Sequence, residues 1–215
     1  LKKEIKLDVY SPEEELANAI THGLGVVVGL YFLVYTLAYS NTKDQELWSS
    51  VVFLATVIIL YSSSTLYHSV KAKKQKFFFK RLDHISIYLL IAGTFTPFCW
   101  GILGSTSLGQ NLLIAVWSIA ALGILFKIFF TGRFEFISLA SYLGMGWFGF
   151  LMFDELANIL SQEAVNLMLY GGLSYSVGVV FYLMRKVKYH HAIWHLFVLG
   201  GTGFHLYAIF KFVIQ

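Results

Sequence analysis

Apolar residues run along this chain in seven blocks, at residues 17–39, 48–67, 85–103, 110–130, 134–153, 164–184 and 193–213, with short polar gaps between them. Each block is close to the ~20 residues that carry an α-helix across ~30 Å of hydrocarbon. The pattern predicts an all-α membrane protein, a bundle of seven transmembrane helices. The first block is too long and starts too late for a cleaved signal peptide, and no alanine-type cleavage site follows it. The links at 40–47, 69–84, 104–109, 131–133, 154–163 and 185–192 are too short to house a second domain. The expected organisation is therefore a polar arm over residues 1–16 and one seven-helix domain over 17–215. No fixed-period repeat or low-complexity stretch interrupts it. Pro97 removes a backbone donor within Gly93-Thr94-Phe95-Thr96-Pro97 and should bend the third helix.

Composition agrees with the pattern. Only 13% of residues are charged, against about 25% in soluble domains, and 57% are hydrophobic. The net charge of +4 does not make the chain a nucleic-acid binder, because its basic residues sit in gaps between apolar blocks. Their distribution instead predicts orientation. With the N-terminus cytoplasmic and the C-terminus outside, fourteen of the sixteen lysines and arginines fall on the cytoplasmic side, leaving Lys43 and Lys211 opposite. The run from Lys71 to Lys80 reads as a topology and lipid-headgroup signal. Cys99 is the only cysteine, so neither a disulfide framework nor a thiolate metal site is available.

Polar groups inside membrane segments are costly and therefore informative. His68 ends the second block, Asp83 opens the third, and His191 and His195 open the seventh, all close to cytoplasmic lysines or arginines. Four groups able to bind metal thus share one depth. His191 and His195 are four residues apart, so their imidazoles project from one helix face and can share an ion. With His68 they make a three-histidine set with an open position, the arrangement in which zinc activates a water. Ser64 lies one turn before His68 on the same face and is placed to hold that water or a substrate oxygen. Asp83 is either the proton acceptor or a fourth ligand.

Ser64-Thr65-Leu66-Tyr67-His68, Asp83 with the helix through Pro97, and His191 to His195 leading into Leu196-Phe197-Val198-Leu199 resemble the hemolysin III family, the bacterial branch of the progestin and adiponectin receptor superfamily. Glu15-Leu16-Ala17-Asn18-Ala19-Ile20-Thr21-His22 is similar to its opening motif. The resemblance covers the chain from Glu15 onward. It implies seven helices, an inward N-terminus, a bacterial plasma-membrane location and zinc held by His68, His191 and His195, with Ser64 and Asp83 near the metal water. The superfamily also contains alkaline ceramidases, which hydrolyse a lipid amide.

Single histidines at helix ends are ordinarily snorkelling or hydrogen-bonded, and His22, His84, His190 and His205 are read that way. Glu15, Asn18 and His22 fall on one helix face, either lining the cavity mouth or forming the satisfied polar face of a capped helix start. Two classes of function follow. One is a zinc-dependent hydrolase of a membrane-lipid amide or ester; the other is a membrane sensor or cytolysin without turnover. A pore is the harder case, because no continuous polar stripe crosses the outer half of any helix.

Overall fold

The computed structural model describes residues 7–42 and 44–214. Its helices long and apolar enough to cross a membrane number seven: α1 (Pro12–Tyr39), α2 (Asp44–Ser69), α3 (Lys73–Ile102), α4 (Ser107–Phe130), α5 (Glu135–Ile159), α6 (Gln162–Leu183) and α7 (His190–Ile214). No strand occurs among the described residues.

Two helices start well before their apolar blocks. The backbone N–H of Glu14 donates to Ser11 Oγ at 3.3 Å, and the Ser11 N–H donates to the Glu14 carboxylate at 3.0 Å. This reciprocal cap, with Pro12 supplying a preset φ in the first turn, begins α1 inside the polar stretch read as an arm. α3 begins at Lys73, so the lysine run is helical from Lys73 onward rather than a link. Lys, Gln and Arg are good helix formers, and two of these lysines turn inward to carboxylates. Lys76 Nζ lies 2.8 Å from Glu15 and Lys80 Nζ 2.7 Å from Asp8.

At Pro97 the α-helical ladder gives way to a π-helical turn over Pro97–Ile102, in which Leu103 N donates to Phe98 O at 2.8 Å. A change of winding is one way a helix absorbs the donor that proline lacks. α5 is similarly interrupted by a 3₁₀ turn at Phe148–Met152.

α2, α3 and α7 are the most enclosed helices, while α1, α4, α5 and α6 form the rim. Close approach of α1 to α2 depends on Gly25, where an added β-carbon would meet the Tyr61 ring at 2.5 Å. The Tyr61 hydroxyl donates to Thr202 Oγ1 at 2.7 Å, and Tyr175 OH lies 2.9 Å from the same oxygen, so one buried node joins α2, α6 and α7. On the rim, Leu24 and Val27 of α1, Leu122 and Phe129 of α4 and Val180 of α6 are exposed. In a chain of this hydropathy they are the lipid-facing surface.

Candidate metal centre

His68 stands in the last turn of α2, and His191 and His195 occupy the first two turns of α7. The chain enters α7 through Tyr189, which takes a left-handed φ of 60°. That conformation is uncommon for a bulky residue and is held here by a bond from Tyr189 N to the Glu14 carboxylate at 3.0 Å. The turn precedes the two histidines of α7 that meet His68. One ring nitrogen from each of the three lies within 4.8 Å of the others, and all three side chains are buried.

The other ring nitrogens explain how the imidazoles are oriented. His68 Nδ1 lies 2.7 Å from Glu15 Oε2, His191 Nδ1 lies 3.1 Å from the Tyr10 hydroxyl, and His195 Nδ1 lies 3.2 Å from the Asn18 carbonyl and 3.1 Å from Thr21 Oγ1. A carboxylate and a carbonyl can only accept, so Nδ1 carries the proton in His68 and His195. The Tyr10 hydroxyl serves either role toward His191. In all three residues Nε2 is buried and has no hydrogen-bond partner among the described residues. Three converging nitrogens left without partners would each carry a desolvation cost of roughly 1–3 kcal/mol. A bound cation removes that cost, so these residues fit a metal ion.

α1 and the segment before it supply most of the outer contacts. Glu15 also pairs with Lys76. Asp8 accepts from Lys80 Nζ and, at 3.2 Å, from the Tyr67 hydroxyl. Burial pushes the Asp8 carboxyl upward, but the Lys80 ammonium, with His84 and Tyr67, outweighs it and holds the group below the usual carboxylate range. The Tyr10 ring lies against His68 and His191, with centroids 5.8 and 5.0 Å away. Glu15 is expected to act as a positioning residue. Glu15→Gln should weaken metal binding by about 10–100-fold, measured by chelator competition; unchanged affinity would mean that the His68 contact does nothing for the metal.

A cavity of about 160 Å³ reaches the group through His191. Asp83, His22 and His191 stand on its wall, which runs past Ile87, Leu90 and Phe95 to Trp147 and His205. Asp83 is buried but lies outside the tight histidine group. Its favourable neighbours are the Ser64 hydroxyl and Lys80. No bond of normal geometry closes between Ser64 and Asp83, and Ser64 Oγ is buried without a partner among the described residues.

The three residues of α1 separate. His22 lines the cavity and stacks on His195, with centroids 3.5 Å apart and planes 13° apart. Glu15 and Asn18 contact His68 instead, the Asn18 amide at 3.4 Å. Of the remaining histidines, His205 Nε2 is bonded to the Met168 carbonyl at 3.1 Å, at the far end of the cavity. His84 lines the cavity and His190 lies outside it; Nδ1 of each is buried and unpaired among the described residues. Sequence reasoning missed Asp8, Tyr10, Thr21, Lys76 and Lys80. The spacing of Lys76, Lys80 and Asp83 on one face of α3 was a usable signal for two of them; Tyr10 carried none.

The profile of Haemolysin-III related proteins matches residues 10–206, which include every histidine of the metal group. The chain belongs to this family. The haemolysin-III chain is 42% identical over 209 residues to the Hemolysin-3 homolog of Bacillus subtilis (strain 168), covering 96% of this chain and 98% of that one. It is 40% identical over 204 residues to the Hemolysin-3 of Bacillus cereus, covering 94% and 93%. It is also similar to the Homo sapiens Monocyte to macrophage differentiation factor, at 27% over 212 residues, 94% of this chain and 85% of that one. The family and the seven-helix fold expected from the motifs are thus both found.

Proposed function

We propose that this haemolysin-III protein is a zinc-dependent hydrolase that acts on the amide or ester of a membrane lipid. The observation that carries the reading is the tight group of His68, His191 and His195, each with a buried Nε2 left without a partner, next to a cavity whose wall carries His191 and Asp83. Three neutral imidazoles without thiolate or clustered carboxylate form a donor set suited to zinc and poorly suited to hard cations. Zinc bound by His68, His191 and His195 would supply a Lewis acid and a water of lowered pKa.

The chain's own residues would do the rest. Asp83 would take a proton at its carboxylate and return it to the leaving group. Its place outside the tight histidine group favours this role over direct ligation. Ser64 Oγ would hold a substrate or water oxygen with its unused bonding capacity. Ile87, Leu90 and Phe95 would bind an acyl chain and keep bulk water out. Purified zinc-loaded protein is expected to release fatty acid from at least one member of a panel of lipid amides and esters. Failure across a broad panel would sink the hydrolase reading.

The positive-inside distribution supports a cytoplasmic N-terminus and metal end, and the likeness to Bacillus proteins supports a bacterial plasma membrane. Native Cys99 is buried, so introduced cysteines can be read against a silent background. Leu160→Cys should react with an impermeant reagent in intact cells and Lys71→Cys only after permeabilisation. The reverse pattern would invert the orientation.

A second reading is a metal-stapled sensor or cytolysin without turnover. The name Hemolysin-3 carried by the relatives speaks for lysis. In that reading the histidines would only tie α2 to α7.

A further inference from the structure

Lys127 is out of place for a membrane lysine. The buried face of α4 is a regular stripe of Gly109, Leu112, Val116, Ala120, Gly123 and Lys127, so the lysine sits where the pattern calls for an apolar residue. It lies one turn from the helix end, where lysines ordinarily snorkel to the headgroups. Instead its side chain is turned inward and only 1% exposed. It lines the cavity together with Asp83, His84 and Glu135.

Two of the three carboxylates that share the cavity with it are engaged elsewhere, and the third, Asp83, forms no ion pair with it. Glu135 pairs with Arg185 at 2.5 Å, and Asp8 pairs with Lys80 at 2.7 Å. No carboxylate among the described residues comes within 4.0 Å of Lys127 Nζ, and the ammonium makes no hydrogen bond to them. A cation held inside a membrane protein without a partner is costly, and such residues commonly mark a ligand path. The remaining direction open to this ammonium is the cavity.

We infer that Lys127 is an anion subsite of the cavity, recognising the ionised oxygen-acid headgroup of a single-chain lipid. A carboxylate, such as the proposed hydrolysis would release, and a monoester phosphate share the required chemistry. The inference rests on the lipid-hydrolase reading for what enters the cavity, and it concerns binding, so it holds or fails without turnover. A merely structural lysine would do something different: its removal would loosen α4 and leave headgroup preference alone.

The test is equilibrium binding of oleate, oleyl phosphate and uncharged oleyl alcohol to purified protein in phosphatidylcholine nanodiscs. Wild-type protein should bind at least one of the two anions about tenfold or more tighter than the alcohol, the ratio between them naming the headgroup. The preference should persist after chelation, which removes any pull from a metal. Lys127→Gln should bring the anion-to-alcohol ratio near one, leave alcohol affinity within about twofold, and not lower the ligand-free melting temperature. Equal wild-type affinity for anions and alcohol overturns the inference even if the variant fails to fold. So does an unchanged ratio in folded Lys127→Gln. Fatty-acid release from neutral lipid amides, measured on the same preparations, reports separately on the hydrolase reading.

Discussion

Replacing His191 or His195 by alanine is expected to strip most of the zinc from the purified protein, while His205→Ala keeps it near one ion per chain. The two α7 residues each have a buried Nε2 without a partner, and one ring nitrogen of each lies within 4.8 Å of the others in the set. Losing one leaves two nitrogens, too few to replace the water shell of a cation whose protein sites usually have three or four ligands. His205 uses its Nε2 on the Met168 carbonyl and lies ten residues beyond His195, roughly 15 Å along the axis. Elemental analysis of the four proteins separates these outcomes. Calcium or no metal in the parent would overturn the zinc assignment. Equal loss from His205→Ala would mean that the substitutions act through folding.

What the sequence made legible was the hydropathy of the helices and the spacing of the ligands within one of them. His191 and His195 could be paired because a helix fixes the angle between residues four apart. Their meeting with His68 rested only on common depth, and the tight group brings all three together. The helix starts were less legible, because apolar blocks report where lipid begins and not where hydrogen bonding begins. Ser11 and Lys73 start α1 and α3 in polar sequence, where capping and propensity decide. Least legible were the partners of the Nδ1 atoms. Tyr10 contacts His191 across 181 positions of sequence, and no periodicity within one segment encodes a contact between two. Lys127 is the opposite case: in the sequence it counts with the cytoplasmic lysines that set orientation, and its inward face follows from the stripe on α4.

Asp83→Asn is expected to keep the zinc and to cut lipid hydrolysis by about 10²–10⁴-fold, the range for losing a general acid–base group. Zinc should stay because the three imidazoles and their Nδ1 partners are untouched, and Asp83 stands outside their group. Activity should fall because an amide cannot take up and return the proton. The isosteric change leaves the cavity wall in place, so substrate affinity should move less than turnover. A metal staple predicts another pattern. There His68→Ala would lower the melting temperature and abolish any cellular phenotype, while Asp83→Asn would leave both nearly intact, since the isosteric amide can still accept from the neighbouring Ser64 hydroxyl of α2. Zinc content, melting temperature and fatty-acid release measured together on parent, Asp83→Asn and His68→Ala decide between them. Loss of release with zinc and melting temperature retained in Asp83→Asn is an outcome that a staple alone cannot produce.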